Sequence, residues 1–196
     1  MLLTLLISLP IGLLTGYLRG RTDYFFMRMV DSTLAIPDIV LTIAIVGILG
    51  PGLFHLILAI IIVRWANYVR FIRSLVLNIC QEEYILSAQM SGNSRMRIMR
   101  RYILPQIVSP VVIFFGALDM GRIVLLIAGL SFLGLGPQPP TPEWGVMLRD
   151  ATAYFQLAPH VMIFFQVWPF CFFVLCCQLI SEPYQKKRVQ PFQKEV

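Results

Sequence analysis

The sequence predicts an all-α polytopic membrane protein, and three observations support this fold class. Of the 196 residues, 58% are hydrophobic and 13% are charged, whereas a water-soluble domain carries about 25% charged residues. Five apolar stretches approach the roughly 20 residues that a transmembrane helix needs. Basic residues collect at one end of these stretches, as the preference of Lys and Arg for the cytoplasmic side of a membrane predicts.

The five predicted spans are residues 1–18, 30–50, 53–72, 103–130 and 160–181. The basic residues beside them are Arg19, Arg21, Arg28, Arg70, Arg73, Arg95, Arg97, Arg100, Arg101, Lys186, Lys187 and Arg188. All of these fall on one side, which places residues 82–105 and the tail 182–196 in the cytoplasm. The loop 134–159 is then extracytoplasmic. We treat residues 1–196 as one membrane domain.

The same rule places Met1 on the extracytoplasmic side, although the chain begins directly in an apolar run. Residues 1–18 lack the basic segment that precedes the apolar part of a signal peptide, and Arg19 comes after the run. We therefore expect a further helix upstream of residue 1.

Several classes of function are disfavoured by the sequence. The net charge of +6 comes from residues that flank apolar spans, so we expect no nucleic-acid partner. There is no GxxxxGK[ST] motif, no HExxH motif and no clustered catalytic set, so the chain is not predicted to be an enzyme. His55 and His160 are isolated and the four cysteines lack ligand spacing, so no metal or cofactor site is predicted.

Residues 81–106 read QEEYILSAQMSGNSRMRIMRRYILPQ, a polar and basic segment between two apolar runs. Glu82 and Glu83 favour a helix start, because carboxylates stabilise the positive end of the helix dipole. Gly92 ends this helix, and Ser94 is predicted to cap the next one. A helix, a glycine turn and a second helix in the cytoplasm indicate a docking element.

The spacing of this segment carries a family resemblance. Gly92 is followed by Leu104 and Pro105 at twelve and thirteen positions, and Ala88 precedes it by four. This pattern resembles the EAA loop of importer-type ABC transporter permeases, the element that enters a groove on the ATPase subunit. We call residues 82–105 the coupling loop. Its predicted coupling residues are Glu82, Glu83, Ala88, Gly92, Leu104 and Pro105.

The coupling loop departs from the family motif at three positions. Leu86 stands where the motif has Glu, Ser87 where it has Ala, and Tyr102 where it often has Ile. Glu83 lies one turn before Leu86 on a similar helix face, so it is our candidate for the missing acidic contact.

A second motif, SFLGLGPQPPTPEWGVMLRDA at residues 131–151, resembles the extracytoplasmic loop of the dipeptide, oligopeptide and nickel branch of these permeases. Further similarity covers residues 27–37 and 68–76. The resemblance implies the type I importer permease fold, with five of its six helices in this chain, in a bacterial plasma membrane. It also implies a second homologous permease subunit, two ATPase subunits, an extracytoplasmic substrate-binding protein and surrounding membrane lipid as partners.

Three segments resemble nickel-type permeases more than oligopeptide permeases: EYILSAQMSG, LDMGRIVLLIAGLSFLGLG and EWGVM. We therefore predict import of nickel or a related transition metal, free or chelated. The first alternative is a dipeptide or oligopeptide importer. An alternative of another class is a membrane scaffold without transport activity.

Four charged residues lie well inside predicted spans, away from the span ends: Asp38, Arg64, Asp119 and Arg122. A charge at the centre of a membrane helix costs about 2.5–3.5 kcal/mol, so each needs a partner or a function. Asp119 and Arg122 are three positions apart and are expected to pair. Pro37 is expected to kink the helix beside Asp38, and Arg64 to reach towards the interface or stack on Trp65. All four are candidates for the translocation path, with purely structural pairing as the alternative.

Overall fold

The structure is a computed structural model that describes residues 1–113, 115, 119–138, 140–157 and 159–189. Throughout these residues the chain is helical or turns between helices, with no β-strand, which confirms the all-α prediction. The chain divides into two compact units, Met1–Leu41 with Ile60–Val112 and Thr42–Ala59 with Ile113–Val196. That residues 1–196 act as one permease domain stays a prediction.

The helices of the first half are α1 (Leu2–Leu18), α2 (Gly20–Leu34), α3 (Asp38–Leu49), α4 (Leu53–Ile79), α5 (Glu83–Met90), α6 (Arg95–Ile98) and α7 (Leu104–Ile113). Those of the second half are α8 (Asp119–Phe132), α9 (Trp144–Ala151), α10 (Pro159–Met162) and α11 (Trp168–Val189). π-helical segments at Met99–Ile103 and Ile163–Val167 join α6 to α7 and α10 to α11, and a short 3-10 turn at Thr152–Tyr154 follows α9.

The predicted span 30–50 is wrong as a single helix. The chain bends by 84° between α2 and α3. Pro37 explains the break, because proline lacks the N–H that a continuous helix needs and disfavours a helical residue before it. The kink was predicted, but its size and the separate helix α2 were not.

The other predicted spans correspond to helices with shifted limits. Span 1–18 becomes α1, and span 53–72 becomes α4, which continues to Ile79. Span 103–130 covers α7 and most of α8, with residues 114 and 116–118 outside the described residues, and span 160–181 covers parts of α10 and α11 with the π segment between them. Among the described helices, α4 alone is long and apolar enough to cross a bilayer, and α2 with α3 would qualify as a broken second span. In the tail 182–196, the helix α11 reaches Val189 and residues 190–196 lie outside the described part.

In the first unit, α1 packs against α4 through a face of small residues. Thr4, Ser8, Gly12 and Gly16 recur every four positions and are buried. A Cβ atom at Gly12 would lie 2.7 Å from the Cβ of Ile72, and one at Gly16 would lie 2.7 Å from the Cβ of Val76. The backbones therefore approach more closely than larger side chains allow, as in other packed membrane helices.

Helix α4 also contacts α2. Val30 on α2 packs with Ala66 and Val69 on α4, and all three are fully buried. Partly buried side chains, including Met27 and Leu34 from α2, surround this cluster. We refer to α1, α2 and α4 together as the helix trio.

Candidate functional site

The first half of the coupling loop ends in a well-formed glycine cap. At the end of α5, the N–H of Gly92 donates to the carbonyl of Gln89 at 3.1 Å, and the N–H of Asn93 donates to that of Ala88 at 3.4 Å. This is the Schellman arrangement, which requires a left-handed residue at the glycine position. Gly92 has a φ of +75° and meets it without strain. The side chain of Asn93 also donates to the Ala88 carbonyl at 3.1 Å.

The second half of the coupling loop is continuous with α7. Ser94 occupies the N-cap position of α6, as predicted, but its side chain makes no capping hydrogen bond; its carbonyl instead accepts the first helical bond, from Ile98 N at 3.1 Å. The π segment Met99–Ile103 then carries the chain into α7. Ile85, Ile98 and Ile103 are fully or almost fully buried, so both halves share an apolar inner side.

The exposed surface of the coupling loop carries apolar and charged groups together. Three side chains form what we call the apolar tip: Met90 at 90% exposed, Met96 at 59% and Leu86 at 48%. Glu82, Glu83 and Pro105 are exposed, and Leu104 is half-buried. The exposed arginines are Arg95, Arg97, Arg100 and Arg101, and none of them forms an ion pair within the described residues.

A cavity of about 500 Å³ lies between the coupling loop and the end of α1. Its lining includes Tyr17, Arg19 and Cys80 on one side and Leu86 and Arg95 on the other. Burial raises the pKa of the Cys80 thiol, which keeps it neutral at physiological pH. Burial also raises the pKa of Tyr84, and the carboxylate of Glu82 adds to that shift. Because the Cys80 thiol is neutral, the charged side chains that line the cavity are those of Arg19 and Arg95.

Three arginines of α4 meet three aspartates that precede it in the chain, and we call these contacts the α4 ion pairs. Arg73 binds both carboxylate oxygens of Asp23, with Nε–Oδ1 and Nη2–Oδ2 distances of 2.7 Å. Arg70 pairs with Asp31, which lies on α2 as Asp23 does.

The third α4 ion pair involves two of the predicted path residues. Nη1 of Arg64 lies 3.2 Å from Oδ2 of Asp38, and Nδ2 of Asn67 donates to the same oxygen at 3.4 Å. The structure thus brings Asp38 and Arg64 together, although the sequence analysis treated them separately. On α8, Asp119 is buried at 2% exposed while Arg122 is exposed. The pairing of Asp119 with Arg122 stays a prediction.

In the second unit, the helix α9 of the predicted extracytoplasmic loop 134–159 packs against α8. The carboxylate of Glu143 caps α9 by accepting from the N–H groups of Gly145 and Val146, at 2.8 and 3.2 Å. A Cβ atom at Gly145 would lie 2.0 Å from the carbonyl oxygen of Ala128, so only glycine allows this contact. Trp144 packs edge-on against Phe170, with ring centroids 5.4 Å apart.

The end of α8 repeats the cap seen in the coupling loop. The N–H of Gly134 donates to the carbonyl of Ser131 at 2.9 Å, and that of Leu135 donates to the carbonyl of Leu130 at 3.0 Å. Gly134 has a φ of +85°. Two of the motifs that carried the family resemblance therefore contain the same helix termination.

The two histidines have different surroundings. Nδ1 of His55 is 3.0 Å from the carbonyl oxygen of Gly50, and His160 is exposed. Within the described residues, no three His, Cys, Asp or Glu side chains come together as metal ligands would.

Sequence reasoning missed the helix trio. The spacing of Thr4, Ser8, Gly12 and Gly16 was visible and is a known signal of close membrane-helix packing. Asp23 and Asp31 carried no comparable signal, because their partners lie 50 and 39 positions away.

Comparisons with known proteins agree on one family. The model of the family described as "binding-protein-dependent transport system inner membrane component" matches residues 8–187. The glutathione transport system permease protein GsiD of Pectobacterium atrosepticum is 42% identical over 163 residues, covering 83% of this chain and 54% of that protein. The nickel transport system permease protein NikC of Escherichia coli is 38% identical over 169 residues, covering 86% and 59%. The chain therefore spans about half the length of the curated relatives it matches.

Proposed function

The chain belongs to the family of inner membrane components of binding-protein-dependent transport systems, and from this premise we propose that it is a permease subunit of an ATP-driven importer. The family predicted from the sequence motifs is thereby confirmed. In the proposal, a separate subunit hydrolyses ATP and this chain performs no chemistry. It acts with a second homologous permease, two ATPase subunits and an extracytoplasmic binding protein in the bacterial plasma membrane.

The observation that carries the proposal is the mechanical continuity of the coupling loop. The chain leaves α4 through a tight turn, in which Cys80 N donates to Val76 O at 2.9 Å and Glu82 N to Ile79 O at 3.1 Å. On its other side, α6 passes through the π segment into α7 without a break. A displacement of the coupling loop is therefore transmitted to both helices, which is what conversion of ATPase closure into alternating access requires.

The apolar tip supplies the docking contact in this proposal. Burying a methionine side chain stabilises a complex by about 1.5–3 kcal/mol. We expect Met90→Ser to lower the affinity for the ATPase subunit by about tenfold to a hundredfold, measured by capture of the ATPase on the tagged permease. Met147→Ser, which changes a partly exposed methionine on α9, is the matched control and should leave capture unchanged. Equal capture by Met90→Ser and the unchanged chain contradicts this docking contact.

The sidedness of the coupling loop has its own test. A cysteine at Met90 should react with an impermeant thiol reagent in inside-out vesicles only, and one at Leu157 in spheroplasts only. Both side chains are strongly exposed, at 90% and 82%, so reactivity reports the side of the membrane. The unchanged chain measures the background from its four cysteines. Labelling of Met90→Cys in spheroplasts would exclude coupling to a cytoplasmic ATPase.

For the translocation path we propose the intramembrane charges Asp38, Arg64, Asp119 and Arg122. The break at Pro37 puts Asp38 in the first turn of a short apolar helix, and broken helices at bilayer depth line the substrate sites of several transporter folds. We expect Asp38→Asn to reduce uptake while ATPase capture is retained. If uptake is unchanged, the pair with Arg64 is structural.

The first candidate cargo is nickel or a related transition metal, free or chelated. The nickel-type motifs and the nickel permease relative support it. A small peptide is the second candidate, because the relative named for glutathione is 42% identical to this chain. We expect labelled nickel uptake to fall in cells that lack this chain, with labelled glutathione and a dipeptide measured in parallel. Loss of peptide uptake with nickel uptake intact would reverse the order of the candidates, and loss of neither would favour the scaffold alternative.

A further inference from the structure

Helix α2 has an outward face that none of the functions above uses. Val30 marks the side that packs on α4, and the opposite side carries Arg21, Phe25 and Arg28. Tyr24 is 68% exposed and Phe25 62%, and the guanidinium of Arg28 lies 5.7 Å from the centre of the Tyr24 ring. Neither arginine forms an ion pair within the described residues.

The two α4 ion pairs that involve α2, Arg73 with Asp23 and Arg70 with Asp31, show how α2 runs across α4. Asp23 and Asp31 are eight positions apart on α2, a rise of about 12 Å, while their partners Arg73 and Arg70 are only three positions apart, about 4.5 Å. A long stretch of α2 therefore meets a short stretch of α4, and the two helices cross steeply.

Because α4 is long and apolar enough to cross a bilayer, a helix that crosses it steeply near one end lies close to the plane of the membrane. Arg70 and Arg73 mark that end as cytoplasmic. Arginine together with exposed aromatic side chains is the composition of helices that lie at the interface of headgroups and acyl chains.

We propose that the outward face of α2 lies on the cytoplasmic leaflet and binds anionic phospholipid headgroups. In this proposal, Arg21 and Arg28 contact the phosphates. Phe25 and the exposed Met29 insert between the headgroups and the acyl chains. The inference goes beyond the proposed transport function, since it depends on neither the coupling loop nor any cargo.

Photocrosslinking tests the position of this face. Benzoylphenylalanine is placed at Phe25 or at Met90 in the full chain, co-expressed with its partners and illuminated in the membrane. We expect phospholipid adducts at position 25 and none above background at position 90. Adducts at position 25 that consist of protein, or lipid adducts that are equal at both positions, would overturn the proposal.

The charge of the face is tested in nanodiscs that contain equal phosphatidylglycerol and phosphatidylcholine. Each basic residue near an anionic surface is expected to favour anionic lipid about fivefold. Arg21→Gln with Arg28→Gln should therefore lower the ratio of phosphatidylglycerol to phosphatidylcholine adducts at position 25, and Arg21→Lys with Arg28→Lys should retain it. An unchanged ratio in the glutamine variant would show that the arginines do not bind the headgroups.

Discussion

The contacts described for the helix trio and for the coupling loop lie in the same compact unit, yet the two regions use charge in opposite ways. In the trio, Arg70 and Arg73 of α4 each meet an aspartate of α2. In the coupling loop, the four arginines are exposed and form no ion pair within the described residues. The sequence presents both groups alike, as basic residues beside apolar spans.

The apolar side chains also differ between the two regions, because they are packed in the trio and exposed in the coupling loop. The trio is packed so closely that no Cβ atom fits at Gly12 or Gly16, whereas the coupling loop leaves the apolar tip exposed. Paired charges and close contacts stabilise the chain itself. Within the described residues, the arginines of the coupling loop form no ion pair and the apolar tip is exposed, and we expect these groups to bind a partner surface. Variants in the trio should therefore change stability, and variants in the loop should change association.

The largest effect is expected from Gly12→Ala combined with Gly16→Ala. Each added methyl group would lie 2.7 Å from a branched side chain of α4, and overpacking of this kind costs about 1–3 kcal/mol per site. Thermal denaturation of the detergent-solubilised chain measures the loss. Gly47→Ala is the matched control, because nothing lies within 4 Å of its added carbon. Equal denaturation temperatures for the double variant and the control would mean that α1 does not pack closely on α4.

The next effect is expected from Arg73→Gln. Its two hydrogen bonds to Asp23 are part-buried, and hydrogen bonds to charged groups contribute about 1.5–3 kcal/mol. Arg70→Gln is the matched control, since the pair of Arg70 with Asp31 is half exposed and such pairs contribute about 0–1 kcal/mol. Adding Asp23→Asn to Arg73→Gln should recover part of the stability, because no charge is then left without its partner. Equal losses for the two arginine variants would contradict this ranking.

These contacts also show how far the sequence could predict the structure. The turn at Gly92 was predictable because its hydrogen bonds join residues three to five positions apart. The α4 ion pairs join residues 26 to 50 positions apart, so they follow from the way α2 and the start of α3 meet α4. The sequence indicated a kink at Pro37 but not its angle of 84°.

The face of small residues on α1 was predictable only in part. Its four-residue spacing was visible in the sequence, but the residues that it meets, Ile72 and Val76, were not. The functional sites follow the same division. The coupling loop is a local structure and could be located from its motif, whereas the contact of Asp38 with Arg64 required two helices to be placed in space.

A smaller effect is expected from Gly92→Ala, which tests whether capture of the ATPase depends on the left-handed backbone conformation at Gly92. A left-handed conformation costs an alanine about 1–2 kcal/mol, and the added carbon has no neighbour within 4 Å, so strain is the whole effect. We expect weaker capture of the ATPase subunit and a denaturation temperature lowered by less than in the Gly12 and Gly16 double variant. Gly92→Asn is the matched control, because asparagine tolerates this conformation. If the asparagine variant loses capture as strongly as the alanine variant, backbone strain is not the cause.

The smallest effect on stability is expected from Arg100→Gln combined with Arg101→Gln, in direct contrast with Arg73→Gln. Both side chains are exposed, and surface substitutions of this kind change stability by no more than about 0.5 kcal/mol. Capture of the ATPase should nevertheless weaken at low salt and differ little at high salt, because exposed charges are screened by ions. A denaturation temperature lowered as far as that of Arg73→Gln would show that these arginines stabilise the chain, and the distinction between the two regions would then fail.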